Sequence, residues 1–566
     1  MIGWVLRRLW RLASLVLQLP LLLLGAALRP LSRPDLLRLE LEGPLPETPP
    51  AGLKRWLPGY QERLSLEEAL AALEELVAAP RPQGVLLVLD QVGLSLGAAE
   101  ELRLALERVR GAGKRVVAWI DPSSGPALLA ASPAERLLAL PESGLELLGL
   151  RIRAVFLRDL LERVGVGVQV ERTGDYKTAA NPLFEQGLTP AHREMLEELG
   201  RDLQEQLLGP LARARRMEPA ALTALLGEAP IGHRRAREAG LLDGLCYRDE
   251  LEARAGELLE VGEEPRTCGP ERLLAARARR RWLGQVLRDR PRVAVLTLRG
   301  TIHGAHEGPG IAGPVAIEAL EALRRARGVE AVVLRIDSPG GSAFASDELW
   351  RATTRLAEKK PVVASMGRVA ASGGYYLAVA ATRIVAQPST ITGSIGVISG
   401  KLHLAPLLRK LGVVVEGVDL APRAGFLDPD RPLTPEERAA LAREVERIYG
   451  VFLERVCAGR QRPRAEIEPL AGGRVYTGRR ALELGLIDAL GGVGTAVEQA
   501  CALAGITGAP QLVQRALPRR GLRGVLGGVP TGGLGEELAE AWALAGIHEP
   551  VLAWCGVRPA EGRRSV

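Results

Sequence analysis

Ala331-Val332-Val333-Leu334-Arg335-Ile336-Asp337-Ser338-Pro339-Gly340-Gly341 runs from an apolar stretch of strand length into a turn made of proline and two glycines. A helical pattern over 346–357 follows, then a second apolar run over 362–366 and a second helical stretch over 375–381. Short apolar strands alternating with amphipathic helices predict parallel βαβ units around a sheet buried on both faces. Further along, apolar residues three and four apart predict a helix over 439–457. Thr434-Pro435-Glu436-Glu437 ahead of it supplies a cap, a first-position proline and an acidic first turn.

Working outward, the chain repeats itself. Arg234-Arg235-Ala236-Arg237-Glu238-Ala239-Gly240-Leu241-Leu242-Asp243 returns as Arg479-Arg480-Ala481-Leu482-Glu483-Leu484-Gly485-Leu486-Ile487-Asp488, about 245 residues later. Leu188-Thr189-Pro190 returns as Leu433-Thr434-Pro435, Val116-Val117-Ala118 as Val362-Val363-Ala364, and Leu89-Asp90 as Ile336-Asp337. Chance matches do not keep so constant a step, so one α/β domain is duplicated in tandem. The expected organisation is a membrane anchor or signal segment over 1–35, a first domain over 36–250 and a helical connector over 251–291. A second domain over 292–505 and a C-terminal extension of unassigned fold over 506–566 complete it.

Of the 566 residues, 47% are apolar and 25% charged, a globular composition. The net charge of +7 comes from arginines scattered over otherwise periodic helices, a distribution that argues against a nucleic-acid surface. Cysteines 246, 268, 457, 501 and 555 are widely spaced with no CxxC pair, indicating neither a disulfide framework nor a zinc site. At the N-terminus, Arg7, Arg8 and Arg11 precede a charge-free run over 12–28, at the short limit of a bilayer span. An uncleaved single-pass anchor is expected there. A signal peptide, suggested by Gly25-Ala26-Ala27, and an interfacial helix, suggested by Trp4, Trp10 and Pro20, are the competing readings.

The chemistry gathers in the second copy. Two glycines in the turn after a strand let backbone amides project without Cβ obstruction, which suits either an ordinary tight turn or an oxyanion hole. After the next strand comes Ala370-Ala371-Ser372-Gly373-Gly374-Tyr375-Tyr376, which sets Ser372 at a helix N-terminus, either as a capping residue or where amides favour a developing anion. Downstream stands Pro388-Ser389-Thr390-Ile391-Thr392-Gly393-Ser394-Ile395-Gly396. Together these stretches closely resemble the signal peptide peptidase A family of Ser/Lys peptidases, over roughly residues 38 to 505. The resemblance implies a crotonase/Clp-like spiral ββα domain with parallel sheets in each copy. It also implies Ser372 as nucleophile, the amides of Gly341 and Gly373 as oxyanion hole, and Ser394 as a residue holding the base.

A serine hydroxyl needs a base that can be neutral near pH 7. None of the six histidines sits in a recognisable triad: His303 and His306 flank a strand end, His403 follows the core motif, and His192, His233 and His548 read as surface positions. Lysine can serve when burial lowers its pKa, whereas arginine cannot. Only seven of the 74 basic residues are lysine. Lys114, Lys359 and Lys360 read as solvated loop charges, Lys54 lies in a proline-rich segment, and Lys401 and Lys410 read as surface. Lys177 differs. It lies in Thr173-Gly174-Asp175-Tyr176-Lys177-Thr178-Ala179, after a strand over 166–171, and this stretch matches the base segment of the double-length family members.

Each copy lacks what the other keeps. No lysine follows Lys410, and the place equivalent to Lys177 reads Leu420-Ala421-Pro422-Arg423-Ala424. The first copy has Asp90-Gln91-Val92-Gly93-Leu94 in place of the glycine turn. It has Ser123-Ser124-Gly125-Pro126 in place of Ala371-Ser372-Gly373-Gly374. A composite site joining the two copies is expected, with no metal or organic cofactor. By resemblance the substrates are hydrophobic peptides such as signal peptides left in the membrane. The same resemblance implies a homo-oligomer, a tetramer, and the expected location is the cell membrane with the catalytic domains on the periplasmic or extracytoplasmic side. A crotonase-like acyl-CoA enzyme and an inactive membrane scaffold of the same fold are the alternatives.

Overall fold

The computed structural model describes residues 34–47, 64–147, 149–262, 264–287, 291–306, 308–508 and 510–517. The expected anchor falls almost entirely outside them, as do Lys54, His548, Cys555 and most of the C-terminal extension. Among the described residues no helix is long and apolar enough to cross a membrane.

The chain is α/β and divides into two compact units. One is built from residues up to Leu150 together with Gln204–Pro291, the other from Arg151–Leu203 together with the residues from Arg292 onward. This differs from the partition drawn from the repeat. The stretch 151–203 belongs to the first copy by sequence and to the second unit by packing.

The first unit carries a six-stranded parallel sheet in the order Thr267–Cys268, Leu36–Pro44, Gly84–Gly93, Arg115–Asp121, Arg136–Ala139 and Gly244–Leu245. Alternate residues of one strand face opposite layers, as strand geometry requires. Val85, Leu87 and Leu89 pack with the helices Leu66–Ala78 and Leu96–Gly111, while Leu86 and Val88 pack against Leu251 and Ala255. The stretch read as a connector is therefore part of this unit: Leu251–Leu259 is a helix covering the sheet, and Thr267–Cys268 is its edge strand. His233, expected at the surface, is fully buried, with one ring nitrogen 2.7 Å from Ser123 Oγ and the other 2.7 Å from the Leu140 carbonyl.

The second unit repeats the plan with eight strands. Val475–Thr477, Ile391–Gly393, Val362–Ala371, Val329–Ser338, Arg292–Arg299 and Gln511–Ala516 form the main path, parallel except for the first pair. Gln511–Ala516, in the stretch left without a fold, is thus an edge strand of this sheet. The long strand Val362–Ala371 forks: its first half pairs with Arg383–Ala386 and its second half with Ile391–Gly393. Val332, Leu334 and Ile336 face the core shared with the helices Gly313–Arg325, Ala343–Ala357 and Pro435–Arg460. Ala331 and Val333 face Ala496 and Ala500 of Val493–Leu503.

Several lysines expected in solvent are tied down. Lys114 Nζ donates to the carbonyls of Ala79 (2.7 Å) and Pro82 (2.5 Å), just past the helix Leu66–Ala78. Lys360 Nζ does the same to Leu323 (2.7 Å) and Ala326 (2.6 Å) at the end of Gly313–Arg325. Each places a cation at or just past a helix C-terminus, where it complements the helix dipole. Lys401 is buried and donates to the Phe426 carbonyl at 2.9 Å.

Candidate active site

Ser372 stands where the strand Val362–Ala371 gives way to the helix Gly373–Ala378. Its backbone has φ 51° and ψ −118°, a conformation rare for a residue with a Cβ, and its side chain makes no capping hydrogen bond. Strain of this kind persists only where the surroundings enforce it. Here the Ser372 amide donates to the Gly393 carbonyl (2.9 Å) on one side, and the Ser372 carbonyl accepts from the Tyr376 amide (2.8 Å) on the other. The hydroxyl is thereby turned away from its own helix.

Lys177 meets it. The lysine follows the strand Gly167–Arg172, which pairs antiparallel with Ile398–His403, Arg172 opposite Ile398. Past that ribbon, the Thr173 amide donates to the Val397 carbonyl (3.0 Å) and the Val397 amide donates to Thr173 Oγ1 (2.8 Å). The turn that follows carries Lys177 inward until only 3% of it is exposed. Its Nζ lies 3.1 Å from Ser372 Oγ, 2.9 Å from Ser394 Oγ and 3.1 Å from the Ser394 carbonyl oxygen. Burial in these neutral surroundings pushes the ammonium down to about 7, because the charged form loses its hydration. Lys177, Ser372 and Ser394 all lie in the second unit, so a site composite in sequence is single in space.

Against Ser372 packs the glycine turn after Val329–Ser338. Gly341 has φ 147°, and a Cβ added there would fall 2.1 Å from the Ile302 carbonyl oxygen. The turn is pinned by Ile302, whose amide donates to Gly340 (2.8 Å) and whose carbonyl accepts from Ser342 (2.9 Å). A Cβ on Gly340 would lie 2.8 Å from both the Gly373 amide nitrogen and Ser372 Cβ, so this turn closes directly onto the serine. Ser342 caps the helix Ala343–Ala357 by accepting from the Ala345 amide (3.3 Å). The five residues singled out from the sequence thus converge on one place.

They open into a cleft of about 470 Å³. One wall is the face of Pro435–Arg460 bearing Leu441, Val445 and Ile448; another bears Met195, Leu196 and Leu199. Sequence reading missed these wall residues, because apolar spacing on a helix does not distinguish a core face from a cleft face. His192, expected at the surface, also borders the cleft and is buried. Among the described residues no group of three or more His, Cys, Asp and Glu side chains gathers as metal ligands would. A hydroxyl within hydrogen-bond reach of a buried amine, with a glycine turn packed against it at the edge of an apolar cleft, can support attack on a carbonyl carbon.

Comparison with known proteins agrees with that chemistry. The profile of peptidase family S49 matches residues 108–262 and 354–507, over half of the chain. The chloroplastic serine protease SPPA of Arabidopsis thaliana is 32% identical over 488 residues, covering 84% of this chain and 72% of that protein. Protease 4 of Haemophilus influenzae is 28% identical over 468 residues, covering 77% and 73%. A putative protease of Synechocystis is 43% identical over 176 residues, covering 31% of this chain and 64% of that protein. With two family regions in tandem and relatives of this kind along most of its length, the chain belongs to peptidase family S49 and is a serine protease of the protease IV and signal peptide peptidase type.

Proposed function

We propose that this peptidase cleaves hydrophobic peptides through an acyl-enzyme on Ser372, with Lys177 as general base. The single observation carrying the assignment is the 3.1 Å approach of Lys177 Nζ to Ser372 Oγ. Neutral Lys177 takes the hydroxyl proton as Oγ attacks the scissile carbonyl carbon. The oxyanion accepts hydrogen bonds from the Gly341 and Gly373 amides, and Ser394 holds the lysine through its two contacts with Nζ. The ammonium then protonates the departing amine, leaving an ester on Ser372. Water surrenders a proton to Lys177, attacks the ester and frees the acid, and the proton returns to Ser372.

The apolar cleft walls favour hydrophobic substrates, and signal peptides left in the membrane after their release fit that chemistry. A putative signal peptide peptidase of Enterococcus faecium is among the relatives, 32% identical over 173 residues. The same reading takes each parallel-sheet unit as a crotonase/Clp-like spiral and the chain as a membrane-anchored homotetramer working on the extracytoplasmic side.

The test compares hydrolysis of a detergent-solubilised apolar peptide by the parent, Ser372→Ala and Lys177→Ala. Each variant is expected to lose at least roughly 1,000-fold in kcat/KM. Labelling of Ser372 by a fluorophosphonate, lost in Lys177→Ala, is expected alongside. Undiminished cleavage by either variant removes the dyad.

A further inference from the structure

Lys177 lies in neither helix nor strand, so nothing in its own secondary structure fixes the height at which its backbone enters the site. What it rests on is Gly473. With φ 87°, this residue sits so close that a Cβ would fall 2.4 Å from both the Lys177 Cα and amide nitrogen. No L-side chain fits that gap without moving the lysine. Behind Gly473 lies Gly396, where a Cβ would be 2.9 Å from the Gly473 nitrogen and 3.4 Å from Lys177 Cδ.

Gly473 and its neighbour Arg474 also fix the partner of Lys177. The Gly473 amide donates to the Ile395 carbonyl (2.9 Å), and the Ser394 amide donates to the Arg474 carbonyl (2.8 Å). These bonds continue the antiparallel pairing of Ile391–Gly393 with Val475–Thr477, and they hold Ser394 at φ 53°. Outside the turn, the Arg474 guanidinium lies 4.5 Å over the ring of Tyr176, the residue before Lys177. It pairs with Glu194 at 3.0 Å and with Glu198, while Tyr176 donates its hydroxyl hydrogen to Glu194 at 3.0 Å.

We infer that Gly473 and Arg474 are positioning residues for the general base: Gly473 sets the depth of the Lys177 backbone, and Arg474 clamps the turn from outside. The inference rests on the Ser372–Lys177 reading above. Neither residue touches the reacting atoms. Both act by keeping the amine at hydrogen-bond distance from Ser372 and away from water. The charged groups around the turn include Asp175 on it, Arg474 from the facing segment and Glu194 and Glu198 from the helix Pro190–Arg215; His192 and Glu444 border the same cleft. Lys177 owes its lowered pKa to burial, with no charge partner contributing.

The test is the pH profile of kcat/KM for an apolar peptide, with kcat and KM separated, in the parent, Gly473→Ala, Arg474→Ala and Arg474→Lys. Fluorophosphonate titration counts the competent sites. Gly473→Ala is expected to lower kcat at pH 7 by roughly 100-fold with KM held. It is also expected to move the ascending limb upward by about one unit, because a displaced lysine regains hydration. Arg474→Ala is expected to shift the limb in the same direction by less, and Arg474→Lys, which keeps the charge for Glu198, to recover part of that shift. A limb that stays in place in both Gly473→Ala and Arg474→Ala, whatever the loss of competent sites, overturns the inference. Should Gly473→Ala fail to fold, the two Arg474 variants decide. A parent without an ascending limb, or full activity in Lys177→Ala, instead overturns the dyad and the inference with it.

Discussion

Ser124 and Ser372 each stand just before the helix that follows corresponding strands of the two units, and they use their hydroxyls in opposite ways. Ser124 has φ −70° and ψ 155° and caps its own helix, accepting from the Ala127 amide at 3.3 Å. Ser372, with φ 51°, caps nothing and takes a hydrogen bond from Lys177 instead. The residue type is the same, so the backbone decides. A capping serine stabilises a helix by about 1 kcal/mol. Ser372 gives that up and adds strain, a cost the pinned turn at Gly341 and the bond to Gly393 absorb. The first unit has a valine and a leucine flanking the single glycine of its turn, together with a proline after Gly125, and its serine serves the helix alone.

The sharpest way to break this contrast is to give the second unit some of the first unit's bulk. Gly341→Ala places a Cβ against the Ile302 carbonyl at a φ that alanine resists. It is expected to lower kcat/KM by about 100-fold or more, checked by steady-state hydrolysis with fluorophosphonate labelling. Next comes the pH dependence. The reaction needs neutral Lys177, so kcat/KM is expected to rise about tenfold per unit as pH climbs toward about 7 and to level off above it. A flat profile over that window would remove the lysine as base.

Burial of Lys177 also has a sign in stability. Its folded pKa, about 7, lies below the unfolded value of 10.5, so between those values the unfolded chain holds more protons and stability rises with pH. Lys177→Met is therefore expected to be more stable than the parent near pH 7, by on the order of a few kcal/mol at most, with the gap narrowing toward pH 10. Denaturant unfolding at two pH values measures it. The smallest effect belongs to Ser124→Ala, which should cost about 1 kcal/mol while leaving peptide hydrolysis unchanged. Loss of activity there would mean the first unit's serine is more than a cap.

Much of this was legible in the sequence because it depends on local rules. Thr434 caps its helix as expected, Glu437 returning a bond to the Thr434 amide, and Pro435–Arg460 runs as its spacing predicts. Lys177 stood out because so few cations in the chain are lysine. The depth of Lys114, Lys360 and Lys401 was not legible, since their carbonyl partners lie 25 to 37 residues away. Neither was Gly473, whose only signal is a pair of glycines that a turn explains equally well. The allegiance of 151–203 escaped for another reason: a repeat compares residue types, whereas the ribbon between Gly167–Arg172 and Ile398–His403 is a matter of pairing.

That allegiance has a consequence in time. The second unit is assembled from two stretches separated by the whole of Gln204–Pro291, and the first of them leaves the ribosome well before the second. A partly synthesised chain holds an amine with no serine to deprotonate and no cleft to bury it. Proteolytic competence therefore waits for the segment that carries Ser372, Ser394 and the strand Val475–Thr477, well after the base has been made.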